Sequence, residues 1–435
     1  MHVMIIGAGT GGMALAHGLR RAGVDVTVFE RDRTRTDGLY GYRVGINPTG
    51  SRALNELLPP ELFETFVATC AREPRYFNVL TEKLRMTASF RLREAADDVN
   101  AERSVSRMTL RQVLLTGMDD VVRFDKTFTH YSHADDGRVT AHFADGTFET
   151  GDVLVAADGT NSRVRRQYLP HAGVKETGVW AIAAKVPITE ETKALLPREV
   201  FEGISLLFAP KGQFGVWHVM EFQRDRGGVE GDLIRRWPGL LYDNTADYIN
   251  WSFSTSADRF PADVADMDGK QLKDLVLAMT SNYHPAYRRL FELGDQGSCF
   301  LVKIRTSEPI DPWPTTNITL LGDAVHTMTP GQGVGANTAL RDARLLCREL
   351  TSGKPLLEAI AAYEAEMIPY GFARVADSLA QNGTNGRDPM YRPLIGRTVL
   401  AFSRLFFWTT SRVAPLRHKF VNSLYDYRSD ESQPR

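Results

Sequence analysis

Three glycines and a glutamate near the start of the chain have the spacing of a nucleotide-binding site. Gly7, Gly9 and Gly12 fit the pattern G-x-G-x-x-G, and Glu30 with its neighbour Arg31 follows. In this pattern the first glycine allows a tight turn, the second lets the backbone approach a pyrophosphate, and the third lets a helix pack closely on a strand. An acidic residue about 20 positions on accepts hydrogen bonds from a ribose.

The elements that position these residues are also visible. An apolar run precedes Gly7, "TGGMALAHGLRRAG" has helical spacing, and "VDVTVFE" alternates as a second strand. A lone G-x-G-x-x-G is a weak signal, but this complete unit predicts binding of an ADP moiety, because the helix N-terminus offers free N–H groups to phosphates. The unit does not distinguish NAD(P) from FAD.

A second element of this kind lies late in the chain, in "TLLGDAVHTMTPGQGVGANTALRDARLL" (residues 319–346). A hydrophobic run stops at Gly322-Asp323, a loop rich in glycine and proline follows, and apolar residues then recur at helical spacing. Together, the early and late elements predict either two ligand sites or one long ligand held by both.

A third segment, "GDVLVAADGTNSRVRRQYL" (residues 151–169), is a buried strand that ends in Asp158-Gly159, with Ser162 and Arg165 following. Alone it could be any strand–turn–helix. The three motifs together resemble those of the group A flavin-dependent monooxygenases, the p-hydroxybenzoate hydroxylase-like family, and they span residues 7–342.

This resemblance implies one ligand, FAD, bound without a covalent link. The first motif would hold the ADP half and Asp323 the ribityl chain, while the next helix would direct its positive end at the flavin ring. The loop beside the ring would include Pro330, Gly333, Gly335, Ala336 and Asn337, and Asp158 belongs to the central motif. Many relatives have G-G-Q-G here, whereas this chain reads P-G-Q-G-V-G-A-N.

Two arginines complete the cofactor site that the resemblance implies. Arg107 in "SVSRMTLRQVLL" is similar to a family arginine that reaches FAD, and Arg43 in "GYRVGINPTG" is similar to one beside the flavin and pyrophosphate. The alternative for each is a solvated surface arginine, which is the commonest environment of this residue type.

The chain of 435 residues exceeds what one hydrophobic core usually serves. We expect an α/β protein with a Rossmann-like FAD-binding domain formed by residues 1–75, 100–172 and 271–390. A mixed or antiparallel β-sheet domain for the substrate would be inserted as residues 76–99 and 173–270. A helical segment, residues 391–435, would end the chain.

Alternation in "FGVWHVMEF" predicts a strand that lines the substrate pocket. One face would carry Phe214, Val216, His218, Met220 and Phe222, and the other Trp217 and Val219. A large apolar face suits a hydrophobic, aromatic ligand, although these residues could equally form the core of the domain. His218 is a candidate base, but a buried histidine is more often structural.

Composition narrows the remaining choices. The net charge of −1 does not indicate a nucleic-acid partner. The three cysteines have neither disulfide nor zinc spacing, and no metal site is expected, so we expect a cytoplasmic protein. Met1 leads directly into a strand, which leaves no room for a signal peptide, and no apolar run reaches the roughly 20 residues of a membrane span. A monomer or a homodimer would fit.

The C-terminal segment is basic, since no Asp or Glu occurs from Arg392 to Tyr425. A basic amphipathic helix can lie on a membrane surface. We expect this one to pack on its own domain.

The family resemblance implies an NAD(P)H- and O2-dependent FAD monooxygenase that hydroxylates or epoxidises an aromatic or polycyclic small molecule through a flavin C4a-hydroperoxide. NAD(P)H would bind transiently, because the chain has no second G-x-G-x-x-G unit. The alternatives are a flavin-dependent reductase of a hydrophobic substrate, a Baeyer–Villiger oxygenase, or a non-enzymatic FAD-binding sensor. A halogenase is disfavoured because its W-x-W-x-I-P motif is absent.

Overall fold

The structure is a computed structural model that describes residues 1–37, 43–93, 97–222, 246–381 and 393–429. The strands in chain order are β1 His2–Ile6, β2 Asp25–Phe29, β3 Arg43–Ile46, β4 Tyr76–Thr81, β5 Met86–Arg91, β6 Arg103–Ser106, β7 Val122–Arg123, β8 Phe128–His133, β9 Val139–Phe143, β10 Phe148–Gly151, β11 Val153–Ala156, β12 Val174–Pro187, β13 Gly203–Ala209, β14 Gln213–Met220, β15 Tyr248–Ser256, β16 Phe300–Ser307 and β17 Ile318–Leu320.

The α-helices in chain order are α1 Thr10–Arg21, α2 Pro48–Leu57, α3 Pro60–Thr69, α4 Arg107–Leu115, α5 Arg163–Tyr168, α6 Glu190–Leu195, α7 Arg198–Phe201, α8 Gly269–Met279, α9 Pro285–Leu293, α10 Asp323–His326, α11 Gly335–Leu350, α12 Leu356–Gln381, α13 Pro393–Arg412 and α14 Ala414–Ser429.

A five-stranded parallel sheet forms the centre of the nucleotide-binding domain, with strand order β17-β11-β1-β2-β7. The central strand β1 is apolar after His2 and β11 is apolar throughout, and Val3, Met4 and Ile5 are completely buried. Such strands are expected in a parallel sheet that is covered on both faces. Because all five strands run the same way, their carboxyl ends lie at one edge of the sheet.

Helices α1 and α11 pack against each other over this sheet with very little space between their backbones. A Cβ added to Gly11 would lie 2.7 Å from Leu321 and 3.2 Å from Ala339, and one added to Gly18 would lie 2.8 Å from Cys347 Sγ. The helix after the early motif is therefore in direct contact with the helix after the late motif.

A seven-stranded sheet forms the second domain, in the order β16-β12-β15-β14-β13-β4-β5. Every neighbouring pair is antiparallel except β13 and β4, so the sheet is mixed as predicted. One face packs against α8 and α9, where Trp217 and Trp251 meet Tyr287 and Phe291. The other face carries Met220 and packs beside Ala71 of the nucleotide-binding domain.

The structure differs from the boundary predicted at residue 271. Helices α8 and α9 belong to the core of the seven-stranded sheet, and β16 is one of its edge strands. Residues 269–307 are therefore part of the substrate sheet domain rather than of the nucleotide-binding domain. The sequence gives no signal for this, because an amphipathic helix shows which of its faces is apolar but not which sheet will cover it.

Helices α13 and α14 pack across the outer strands of the seven-stranded sheet. Phe407 and Phe420 contact Phe77, Phe90 and Phe208 on β4, β5 and β13. The predicted helical C-terminal segment is thus present and rests on its own protein. None of the helices in the described part of the chain is long and apolar enough to cross a membrane.

Candidate cofactor site

The three sequence motifs meet at the carboxyl edge of the parallel sheet. Gly7 follows β1, Asp158 follows β11 and Asp323 follows β17, and these three strands are direct neighbours. Adjacent strands lie about 4.8 Å apart, so the three strand ends fall within roughly 10 Å. One site shared by the three motifs is therefore favoured over two separate sites.

The early motif has the geometry of a phosphate-binding loop. Gly7 has a φ of +107°, and a Cβ there would collide with the carbonyl oxygen of Ala157, while a Cβ on Gly12 would lie 3.0 Å from Ala157 Cβ. A Cβ on Gly9 would find only one neighbouring atom, at 4.0 Å, so the space beside Gly9 is open. Helix α1 begins there with no side-chain cap and no acidic residue in its first turn. Its first N–H groups can therefore bind an anion.

Glu30 supports this loop directly. Its Oε2 accepts a hydrogen bond from the N–H of Ala8 at 2.8 Å, and its Oε1 accepts one from the N–H of Asp32 at 3.0 Å. A carboxylate has about four acceptor positions, so two remain for a ribose. Arg31, also assigned to this site by sequence, is exposed beside it.

Asp323 is the first residue of α10 and its side chain is solvent-accessible at the carboxyl edge. Protein surrounds it on its other sides, and this desolvation raises the pKa of Asp323, while His326 and Arg107 act in the opposite direction. Its Oδ1 lies 4.0 Å from a Cβ built on Gly335, which places the carboxylate beside the N-terminus of α11. Arg107 is exposed at the start of α4.

A buried ion pair that the sequence analysis missed holds this strand end. His326 Nε2 lies 2.6 Å from Asp342 Oδ2, and the N–H of Gly322 donates to the same oxygen at 2.9 Å. Burial disfavours the imidazolium, but the Asp342 carboxylate outweighs it, and the pKa of His326 is raised. The available signal was a charged residue among the apolar positions of α11.

The central motif supports the late one. Arg165 is buried, and its guanidinium donates to the carbonyl oxygens of Ala324 and Thr160, both at 2.8 Å. Asp158 Oδ2 accepts the N–H of Arg163 at 2.8 Å, and burial raises the pKa of Asp158. Asp158 therefore caps the start of α5, and a direct contact between Asp158 and the cofactor stays a prediction.

The loop before α11 has a defined shape. Pro330 begins a 3₁₀ turn, Gly333 has a φ of +65°, and α11 starts at Gly335 without a side-chain cap or an acidic residue in its first turn. Gly335 and the half-buried Ala336 therefore present N–H groups that lack helical acceptors. The positive end of this helix lies beside Asp323.

Asn337 joins this loop to β3. Its Oδ1 accepts the N–H of Asn47 at 2.9 Å, and its Nδ2 donates to the carbonyl oxygens of Gly45 at 2.9 Å and Gly333 at 3.0 Å. The side-chain amide of Asn337 is thus engaged by the backbone, and a contact between Asn337 and the cofactor stays a prediction.

A chain of hydrogen bonds links Arg43 to the substrate sheet. A cavity is lined by Arg43, Gly45, Asn47, Glu102, Gln332 and Gly333. Arg43 Nε donates to Ser104 Oγ at 3.0 Å, and Ser104 Oγ lies 2.8 Å from His218 Nε2. His218 is only 1% exposed. That burial and the Ser104 contact indicate a structural histidine, which does not favour the predicted role as a catalytic base.

The predicted pocket-lining residues share the face of β14 that is turned away from Trp217 and Val219. Met220 and Phe222 form a cluster with Tyr248 and Ala71, and Phe214 lies 5.2 Å from Phe208 between ring centroids. Val216 and Phe214 are half-buried, whereas Met220 is completely buried. Their contact with a substrate stays a prediction. Within the described ranges, no cluster of three or more His, Cys, Asp or Glu residues could hold a metal ion.

Comparison with known proteins adds a family to this geometry. Family models match the chain as an FAD binding domain over residues 305–373 and as an NAD(P)-binding Rossmann-like domain over residues 5–36. A dual O-methyltransferase/FAD-dependent monooxygenase of Cercospora beticola is 32% identical over 390 residues, which cover 84% of this chain and 44% of the relative. The chain thus spans less than half the length of that curated relative.

Two solved structures have the same fold. A Photorhabdus luminescens protein described as an FAD-containing monooxygenase superposes with a TM-score of 0.75 at 33% identity, covering 88% of this chain and 97% of that chain. Klebsiella pneumoniae HpxO, solved with FAD and uric acid, superposes with a TM-score of 0.74 at 21% identity, covering 98% and 96% of the two chains.

A Rossmann-like sheet on which three motifs converge, next to a mixed sheet, is the architecture that this chain shares with the FAD-containing monooxygenase of Photorhabdus. With 33% identity to the Photorhabdus protein over nearly its whole length, the chain belongs to the FAD-dependent monooxygenase family. Its cofactor is FAD, as predicted.

Proposed function

We propose that this protein uses NAD(P)H and O2 to hydroxylate or epoxidise an aromatic or polycyclic small molecule. The observation that carries the proposal is the position of the apolar β14 face. It is turned away from the sheet's own core, and it is joined through His218, Ser104 and Arg43 to the cavity beside the loop before α11. A hydrophobic ligand between the two domains would then be adjacent to the cofactor.

The residues at the carboxyl edge fit FAD. The open space beside Gly9 and the uncapped start of α1 suit the pyrophosphate, Glu30 keeps acceptor positions for the ribose, and Asp323 can accept hydrogen bonds from the ribityl hydroxyls. The uncapped start of α11 favours negative charge on the part of the ligand next to it. Bound FAD, once reduced, supplies the oxygen-activating chemistry.

The protein's own part in the reaction is to position the substrate and to exclude water. Met220, Phe222 and Tyr248 would provide the apolar wall; each is less than a tenth exposed, and the three form one cluster with Ala71 at the junction of the domains. An aromatic ligand held against such a wall keeps its reacting carbon at a fixed distance from the cofactor. The Arg43 guanidinium, oriented by Ser104, would lie at the junction of substrate and cofactor.

NAD(P)H is proposed as a transient reductant. The described nucleotide fold is occupied by the motifs assigned to FAD, so NAD(P)H would reach the flavin from the open carboxyl edge and leave again. The experiment below compares NADH with NADPH as the reductant.

The test is incubation of the FAD-loaded protein with NADH or NADPH, labelled O2 and a panel of phenols, quinones and polycyclic aromatics. We expect substrate-stimulated NAD(P)H consumption and one labelled oxygen atom per product molecule by mass spectrometry. A reduced, unlabelled product would instead establish the reductase. NAD(P)H consumption that no compound in a broad panel stimulates would favour a binding or sensing role.

A further inference from the structure

Helix α13 leaves a row of large apolar side chains in solvent on the side away from the protein. Phe402 is 67% exposed, Phe406 57%, Leu405 56%, Ile395 46% and Val413, just beyond the helix, 41%. We call these five residues the outer face of α13. Single exposed apolar residues are common on protein surfaces, but a continuous row indicates a contact with something else.

The outer face lies opposite the face that α13 uses to pack on its own protein. At 100° per residue, Ile395, Phe402 and Phe406 fall within roughly 40° of one another, and Leu405 is about 60° from Phe402. Leu400 and Phe407 are about 140–160° away from Phe402 by the same geometry. Leu400 is buried and Phe407 packs against Phe208, so they form the inner face. Helix α13 therefore packs on its own domain through the inner face alone, and the outer face takes no part in this contact.

Positive charge accompanies the outer face. From Pro393 to Tyr425 the sequence contains no Asp or Glu. Arg412 at the end of α13 and Arg417 and Lys419 on α14 are exposed near Val413, whereas the exposed Arg397 lies about 160° from Ile395 around α13. The Arg412 guanidinium lies 4.3 Å from the centre of the Trp408 ring, and Trp408 is itself 47% exposed. In a chain whose net charge is −1, this is a local concentration of positive charge.

We propose that the outer face of α13 docks on an anionic lipid bilayer surface, with the helix lying in the plane of the membrane. Exposed Phe, Leu and Ile beside Arg and Lys is the composition of an interfacial helix, whose apolar side chains enter the headgroup boundary while its cations meet anionic lipids. The helix is not apolar enough to cross the bilayer. The attachment is therefore peripheral and reversible.

Charge complementarity favours a lipid surface over a second copy of this chain. In a two-fold dimer built on this face, each α13 would meet its own equivalent, and the Arg and Lys residues that flank the outer face would oppose like charges. An anionic bilayer offers the opposite charge over its whole surface.

The experiment is co-sedimentation of the FAD-loaded protein with vesicles of phosphatidylcholine alone or of an equimolar mixture with phosphatidylglycerol. We expect binding to the mixed vesicles, weakened by added salt, and much less to phosphatidylcholine alone. The double variant Phe402→Ser/Phe406→Ser should bind at least about ten-fold more weakly, because two apolar side chains no longer enter the boundary. Its matched control is Phe148→Ser on β10, a phenylalanine that is 66% exposed far from α13.

The electrostatic part is tested by Arg412→Gln/Arg417→Gln, expected to weaken binding about ten-fold at low salt. The control is Arg198→Gln on α7, whose side chain is 84% exposed. Circular dichroism and FAD content, which should match wild type, show that each variant is folded. Vesicle binding equal to wild type in the Phe402/Phe406 variant, or no binding by the wild type, would overturn the proposal. So would a wild-type dimer, without lipid affinity, that Phe402→Ser/Phe406→Ser converts to a monomer.

Discussion

Asp323 follows Gly322 in the chain, and Asp342 of α11 accepts the N–H of Gly322, but the two carboxylates differ in their surroundings. Asp323 reaches solvent at the carboxyl edge, whereas Asp342 is completely buried against His326 and the N–H of Gly322. The first is free to meet a ligand, and the second holds the backbone that carries the first. Replacing Asp323 should therefore affect mainly ligand binding, whereas replacing Asp342 should affect mainly stability.

Replacing Asp323 with Ala should weaken FAD binding without unfolding the protein. A carboxylate that accepts hydrogen bonds from ribityl hydroxyls contributes about 1.5–3 kcal/mol per bond, or one to two decades in affinity. Fluorescence titration of the apoprotein with FAD measures this, and Asp311→Ala on the preceding exposed loop is the control. Unchanged FAD affinity in a folded Asp323→Ala protein would show that Asp323 only forms the turn at the strand end and does not bind FAD.

The Asp342→Asn variant should lose roughly 3 kcal/mol of stability and change its pH dependence. Because the pKa of His326 is raised above about 6.5, the native wild-type protein holds more protons than the unfolded chain as pH rises past 6.5. This contribution to stability is complete below that pH and is lost on passing the folded pKa. Without the carboxylate, burial is the largest remaining influence and lowers the pKa of His326 against the weaker opposing effect of Asp323, so the contribution should rise with pH instead.

Urea unfolding between about pH 5 and pH 9 gives the two slopes. Asp136→Asn, at an exposed turn where Asp136 pairs with Arg138, should retain the wild-type slope. If Asp342→Asn also retains it, the His326 pair does not control this pH range.

At the residue scale, the sequence identified the groups that lie within local motifs. The positions of Gly7, Gly12 and Asp323 could be predicted because each depends on only a few neighbouring residues. These positions are a tight turn, a close approach of helix and strand, and the end of a strand, respectively. The His326–Asp342 pair and the contact of Arg165 with Ala324 could not, because each joins segments that meet only in the folded chain. Asn337 was recognised by its place in the loop, but its use in cross-linking β3 depends on tertiary packing.

Strand β14 is the element that joins the two domains. Trp217 and Val219 face the core under α8 and α9, while His218 and Met220 face the nucleotide-binding domain. Period-two alternation in the sequence was enough to sort these residues onto two faces, because a strand admits only two. The domain to which α8 and α9 belong could not be predicted, because their apolar faces would fit either sheet.

Shortening a side chain on the proposed substrate face should uncouple NAD(P)H consumption from oxygenation. The Phe222→Ala or Met220→Ala substitution would enlarge the substrate pocket. The substrate carbon would then no longer be held within roughly 3–3.5 Å of the reacting oxygen. We expect more hydrogen peroxide per NAD(P)H, with a smaller effect on the rate of NAD(P)H consumption. Peroxide and product assays on the same reaction give the ratio.

Val219→Ala is the matched control for this prediction. It also shortens an apolar side chain, by a smaller volume, on the opposite face of the same strand, among the residues of the α8 and α9 core. It should lower stability while keeping the wild-type ratio of product to NAD(P)H. Equal ratios in all three folded variants would mean that this face is core and that the substrate binds elsewhere.

On the scale of the whole molecule, the proposed site would hold FAD with residues from both ends of the nucleotide-binding domain and without a covalent bond. We expect a yellow protein whose flavin is released by acid or heat, and an apoprotein of lower stability. A ligand at one hundred times its Kd stabilises the native state by about 2.7 kcal/mol. Thermal unfolding with and without added FAD measures the shift, and flavin that stays with the denatured chain would indicate a covalent link.

The parallel pairing of β1, β11 and β17 also determines when the site can exist during synthesis. Val3 pairs on one side with Val26 of β2, made soon after it, but on the other side with Val153, and Leu154 pairs with Ile318, so one edge of β1 waits for a partner made much later. At ribosomal rates of roughly 5–20 residues per second, Asp323 follows Gly7 by about 15–60 s. During that interval unpaired strand edges are available to chaperones and to wrong partners. Flavin capture is thus a late event that reports a finished fold.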